Sequence, residues 1–238
     1  MTDQRLAHVF VELADTLVDE FDAVDFLSTL VERSIELLDA DAAGVILRGA
    51  RGTLHVVAVS SERVEVLELF EVQNEEGPCL DCLTGGEPVV NVDLVEAQAR
   101  WPRFTRVAEQ LGFTSTHALP LRLRETNLGA MNLFQTRRTP LSSDDLLIGQ
   151  ALADIATIGL LQERAVRESA LLAHQLQSAL SSRVSIEQAK GVLLAREQMP
   201  VESGFELMRS YSRRGRLPMR QVAQRVIDGE LTAEDLRL

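Results

Sequence analysis

The sequence predicts an α+β protein: a mostly antiparallel sheet flanked by helices over residues 1–140, a long connecting helix over 141–180 and a three-helix module over 181–238. Three observations carry that expectation. Strand-length apolar runs in the first part come in pairs across short polar turns, with helical periodicities between them. Proline is absent between Pro140 and Pro200, behind a capping signal at Ser142. The charge also changes sign: residues 1–177 sum to −14 and residues 178–238 to +2, within a total of −12.

The first helix is read from Leu6, Phe10, Leu13 and Leu17, spaced by three and four, and the second from Phe26, Leu30, Ile35 and Leu38 after the Asp22–Asp25 break. Residues 44–48 and 53–59 are β-branched runs joined across Arg51-Gly52, the signature of a hairpin. Val64, Leu67 and Phe70 after Ser61 predict a short helix leading into turns at Gly77-Pro78 and Gly85-Gly86, followed by a strand at 88–91. A further helix within 93–111 stops at Gly112, and residues 116–122 and 127–134 form the last strand pair.

The long helix then starts at the Ser142-x-x-Asp145 box. A heptad-like seam runs through 152, 155, 159, 162, 166, 169, 173, 176 and 180, weakened at Gly159, Gln162 and Ser169. Its length favours pairing with a second helix, against the alternative of packing on the protein's own sheet. Met199-Pro200 closes it. A second helix over 201–212 presents Phe205, Leu207, Met208 and Tyr211, a third starts at Pro218 and stops at Asp228-Gly229, and Thr232–Asp235 caps a last turn.

Composition bounds the function. With 45% apolar, 25% charged and 4% aromatic residues, the 238-residue chain is ordinary globular protein. No run approaches the roughly 20 apolar residues of a membrane span, and the N-terminus lacks a basic region followed by an apolar one, so a cytoplasmic protein without membrane contact is expected. Two cysteines, Cys79 and Cys82, suit reduced thiols. Of the 24 basic residues 23 are Arg, which makes the one lysine, Lys190, conspicuous.

Arg183 and Lys190 stand two helical turns apart and share a face, with Gln188 at its edge, while Arg209, Arg213, Arg214, Arg216 and Arg220 surround the turn after the second helix. Such a cluster suits phosphate contacts, with Gln188 or an Arg reading bases splayed from a hairpin loop. The alternative is a solvated face paired with Glu187, Glu197 and Glu206. Tyr211 reads as core rather than as a stacking platform. Cys79-x-x-Cys82 has the spacing of a redox pair or half a zinc site, yet the other half would require His117 and His55 from strands, and no metal or cofactor is expected. Catalytic motifs are lacking, and the many Asp and Glu residues fall on predicted helix faces, where solvation is the expectation.

The segment Ser182-Arg-Val-Ser-Ile-Glu-Gln-Ala-Lys-Gly-Val-Leu-Leu194, with Phe205-Glu-Leu-Met-Arg-Ser-Tyr211 and Val222-Ala223, resembles the ANTAR domain. Residues 77–82 (GPCLDC), 100–104 (RWPRF), 117–122 (HALPLR) and 128–133 (LGAMNL) resemble a GAF domain of the kind fused to ANTAR. The resemblance implies a GAF-like sensor domain at 1–140, a dimerising helix at 141–180 and an RNA-binding domain at 181–238. It implies a signal-responsive antitermination regulator that binds paired hairpins in nascent RNA as a homodimer, and not an enzyme. Cys79, Cys82, His117 and Trp101 are then ligand or redox-sensing candidates for a small-molecule, redox or protein signal. Two rivals remain: a GAF-based dimerisation and protein-contact scaffold without RNA, and a GAF-fold cysteine-dependent reductase.

Overall fold

The computed structural model describes residues 3–16, 22–49, 51–197 and 201–237. The chain forms two compact units, Met1–Arg164 and Ala165–Leu238. Leu17 and the Met199-Pro200 stop lie outside the described residues.

The first unit is built on a five-stranded antiparallel sheet in the order β2-β1-β5-β4-β3. Its strands are β1 (Ala42–Arg48), β2 (Leu54–Val59), β3 (Val89–Asp93), β4 (Ser115–Leu123) and β5 (Thr126–Gln135). The hairpins β1–β2 and β4–β5 are the two expected strand pairs.

Alternation along the strands gives the sheet two apolar faces, and helices cover both. Val45, Leu119, Met131 and Leu133 pack with Leu13 of α1 (Asp3–Asp15), with Phe26, Leu27 and Leu30 of α2 (Ala23–Leu38), and with Leu152 and Ala156 of α6 (Ser143–Glu197). On the opposite face, Ala42 and Phe134 pack with Val64 and Leu67 of α3 (Glu62–Asn74) and Phe104 of α5 (Pro102–Gln110). Beside them Ile46, Ala118 and Ala130 meet Cys79, Cys82 and Leu83 of α4 (Pro78–Gly85).

The caps explain the helix boundaries. Asp22 Oδ1 accepts from the Val24 and Asp25 amides at 2.8 and 3.2 Å, which starts α2. Ser142 and Asp145 exchange hydrogen bonds reciprocally at the head of α6. Residues 77–86, expected as two turns around a connection, form a helix instead. Gly77 is its N-cap, Pro78 opens it and Gly86 closes it in the left-handed conformation. The turn residues are the two ends of α4, because proline suits the first helical position and glycine the left-handed cap.

The seam on α6 divides. Leu152 and Gly159 are buried and Ile155 half-buried, whereas Val166, Ser169, Ala173, Leu176 and Leu180 are exposed. Packing against the protein's own sheet therefore accounts for the first part of the seam only.

The second unit gathers Ala189 and Leu193 of α6, Met208 of α7 (Val201–Gly215), Val222, Ala223 and Val226 of α8 (Met219–Ile227), and Ala233 and Leu236 of α9 (Ala233–Arg237) into one apolar core. Thr232 and Asp235 cap α9 with hydrogen bonds of 2.7–3.4 Å. Tyr211 packs half-buried against this core, as its apolar neighbours implied.

Candidate functional site

The two units carry chemistry of opposite kinds. In the second, the segment 209–220 holds five arginines and no acidic residue. Arg209, Arg213, Arg214, Arg216 and Arg220 are all exposed, spread over the end of α7, the turn and the start of α8. Arg216 has a φ of 51°, a left-handed backbone that ends α7. Arg214 donates to the Leu236 carbonyl at 2.8 Å, which ties the cluster to α9. Arg209 pairs with Glu206 at 3.4 Å. Among the described residues no ion pair engages Arg213, Arg216 or Arg220.

The α6 part of the expected surface is less open. Lys190 donates to both Glu187 oxygens at 3.0 and 2.8 Å, and its side chain is only 17% exposed. Arg183 is exposed and lies two turns away on the same side. Gln188 does not flank this face. A helix turns about 100° per residue, so Gln188 points about 160° away from Lys190. The anticipated Glu187 and Glu206 partners both engage, while the Glu197 side chain lies outside the described residues.

In the first unit the sequence-predicted candidates are interior groups. Cys79 and Cys82 are free thiols, both fully buried on the sheet-facing side of α4. Burial pushes Cys82 up to about 12 and Cys79 well above the usual thiol range, with the Glu71 carboxylate adding to the shift at both. Both remain thiols at neutral pH, without the thiolate that attacks a substrate. Trp101 is 2% exposed and donates from Nε1 to Asp81 Oδ2 at 3.1 Å; the Arg100 guanidinium pairs with the same carboxylate at 2.7 Å and stacks on the indole at 4.6 Å. Asp81 thus joins the helix of the two cysteines to the Trp101 segment.

His117 belongs elsewhere. Its neighbours along β4, Ala118 and Leu119, pack on opposite faces, Ala118 with the cysteines and Leu119 with α2 and α6. His117 shares the face of Leu119, away from both thiols. The Asn91 amide donates to Nδ1 at 2.9 Å, and Nε2 lies 3.3 Å from Gln135 Oε1. Burial lowers its pKa, so the ring is a neutral, satisfied core histidine. A zinc site joining Cys79 and Cys82 to His117 is incompatible with this geometry.

The structure adds residues that sequence reasoning assigned to solvent. Glu68 and Glu71 of α3 are fully buried. Glu68 accepts two contacts from Asn132 Nδ2 of β5 at 2.9 and 2.8 Å, and Glu71 Oε1 accepts from the Cys79 amide at 3.1 Å. Burial raises the pKa of both, and the charge of Glu68 raises Glu71 further. The signal was present in the spacing: 68 and 71 continue the stripe that Val64 and Leu67 begin, so α3 turns its carboxylates toward the sheet. Asn132 likewise interrupts an apolar strand.

A family model described as the GAF domain matches residues 22–160. The chain belongs to the GAF family. A second model, the ANTAR domain, matches residues 174–227, which include every basic candidate named above. The GAF candidates Cys79, Cys82, Trp101 and His117 lie within the first match, as do Glu68 and Glu71.

Solved structures with the same fold include the GAF domain of a phosphoenolpyruvate-protein phosphotransferase from Acinetobacter, 15% identical, covering 70% of this chain and 98% of that one with a TM-score of 0.54. The corresponding domain from Coxiella burnetii is 15% identical, with 71% and 99% coverage and a TM-score of 0.54. The free methionine-R-sulfoxide reductase of Neisseria meningitidis, solved with its substrate, is 18% identical over 70% and 95%, again with a TM-score of 0.54. No curated protein matches the chain. These likenesses show the GAF fold. GAF and ANTAR are regulatory domains, a sensor and an RNA-binding module. Among the described residues no helix is long and apolar enough to cross a membrane.

Proposed function

We propose that this protein is a cytoplasmic, signal-responsive antitermination regulator: the GAF unit receives a signal, and the ANTAR unit binds paired hairpins in nascent RNA and so prevents a terminator from forming. The observation that carries the reading is the acid-free run of five exposed arginines at 209–220 inside the ANTAR match. Guanidinium groups grip phosphates in bidentate fashion, and single-stranded loop bases are where proteins obtain RNA sequence specificity. Arg183 and Lys190 are the α6 members of the proposed interface, with Lys190 required to leave Glu187 before it can reach RNA; Gln188, on the opposite side of α6, is left out of it.

Two hairpins call for two ANTAR units, and α6 supplies a basis for a homodimer. Val166 is 63% exposed, Leu176 57% and Leu180 60%, at spacings that place them on one stripe with Ser169 and Ala173. A signal shifts such a dimer only if it binds one arrangement better than the other. The buried, protonated thiols favour a regulator over a cysteine-dependent reductase. The same exposed stripe supports a second reading, a dimerisation and protein-contact platform without RNA.

Selection from a two-hairpin RNA library with the full-length protein, beside the Arg213→Ala/Arg216→Ala variant, tests the proposal. Enrichment of a common two-hairpin motif that is lost in the variant is expected. No enrichment by the parent protein, with the dimer intact, would favour the platform.

A further inference from the structure

The interior of the GAF unit holds a cluster that neither the fold nor the RNA reading uses. Ligand atoms of Glu68, Glu71 and Cys79 all lie within 4.8 Å of one another, and all three residues are fully buried. Two carboxylates removed from water are strongly disfavoured unless a compensating charge or proton accompanies them. Among the described residues no Lys, Arg or His lies against either one.

The hydrogen bonds show which compensation fits. A neutral carboxyl carries an O–H that needs an acceptor. Here both carboxyl groups face donors instead: the Asn132 Nδ2 group toward Glu68, and more distantly Glu71 at 3.4 Å, and the Cys79 amide toward Glu71. The Asn132 carboxamide oxygen, in a residue with no exposure, has no hydrogen-bond partner, although its own amide nitrogen touches both glutamates. Burial favours a proton on each of these carboxyl groups, yet the polar groups that face them are donors, so a divalent cation is the compensation that both carboxylates and the unpartnered carboxamide oxygen could share. The backbone makes room for it: a Cβ at Gly44 would collide with Glu68 Oε1, and one at Gly77, whose φ is 152°, with the Glu71 side chain.

We propose that Glu68, Glu71 and Cys79 form a closed zinc-binding site between α3, α4 and the sheet, completed by Asn132 once its carboxamide turns its unpartnered oxygen, in place of Nδ2, toward the carboxylates. One sulfur and three oxygens match a four-coordinate, borderline-soft ion. Tetrahedral zinc places its ligand atoms about 3.3–3.7 Å apart, so the side chains close by about 1 Å around the ion. Because the donors come from α3, α4 and β5, occupancy ties both helices to the sheet, which gives the sensor unit a metal-dependent rigidity. The site stands independently of what the ANTAR unit binds.

Full-length protein dialysed against a chelator and titrated with Zn2+, and with Co2+ as its spectroscopic stand-in, tests the assignment. One equivalent of either ion per chain is expected, with tetrahedral cobalt bands and a sulfur-to-cobalt charge-transfer band. Cys79→Ser should abolish the charge-transfer band, Glu71→Gln should weaken Zn2+ binding at least about tenfold, and Cys82→Ser should retain the band. Circular dichroism checks that each variant is folded. A natively folded parent that takes up no stoichiometric metal overturns the proposal, as does a band that survives Cys79→Ser or disappears only in Cys82→Ser.

Discussion

The GAF unit buries the ionisable groups of its candidate site and the ANTAR unit displays those of its own. In the first, Glu68, Glu71, His117 and both thiols lie inside a sheet covered on two faces, held by polar partners from neighbouring strands and helices. In the second, the core is wholly apolar and five arginines stand outside it on the end of α7, the turn and α8. The difference teaches where each unit is sensitive. An interior site can be altered only by disturbing packing or by a ligand small enough to enter, whereas an exterior cluster can lose its function and keep its fold.

The largest effect should come from the GAF core. Phe134 is fully buried against Phe113, at a centroid distance of 5.1 Å. Phe134→Ala should destabilise that unit by about 3–5 kcal/mol, read as a lowered urea midpoint. Smaller in energy and opposite in kind, Arg213→Ala/Arg216→Ala should weaken RNA binding by about 10- to 100-fold at low salt, and flatten its salt dependence, since each lost phosphate contact removes released counterions. Its unfolding midpoint should shift by no more than the equivalent of about 0.5 kcal/mol. A variant that lost RNA binding by unfolding would break the comparison.

Two subtler changes sharpen it. At Gly149, α6 approaches the sheet so closely that a Cβ would sit 2.7 Å from Leu119 Cδ1. Gly149→Ala should cost about 1 kcal/mol net, overpacking of about 1–3 kcal/mol being partly offset by the better helix propensity of alanine. The smallest effect is that of His117, whose pKa burial lowers from 6.5 while the bond to Gln135 opposes the shift. The unfolded chain then takes up a proton near pH 6.5 that the folded chain refuses. Stability from this group is complete above about pH 6.5 and declines as pH falls toward the folded pKa. Asp93 and Arg138, paired at 3.3 Å beside the same small pocket, are the charged neighbours. The decline in urea midpoint between pH 7 and 5.5 should be shallower in His117→Gln.

Much of the fold was legible because its signals are local. The two hairpins, the Ser142 box that starts α6 and the Gly112 stop after α5 each follow from a few adjacent residues. Helix α4 was misread as turns because Gly77-Pro78 and Gly85-Gly86 mark helix ends as readily as turns, and only the contact with the sheet decides between them. At the sites, the arginine run was visible as composition. The displacement of Gln188 from the Lys190 face required counting helical angle, and the pairing of Lys190 with Glu187 required the side chains. Glu68 and Glu71 escaped because a carboxylate on a helix is solvated by default, and only the cover of β5 over α3 makes these two interior.

The most direct test of the account is binding of the full-length protein to one selected RNA with both hairpins, and to the same RNA with one hairpin unpaired by mutation. The account predicts two protomers on the intact RNA and at least about a tenfold loss of affinity when one hairpin is removed, because a tethered second contact is lost. Equal affinity for both RNAs, or one protomer on each, would contradict it.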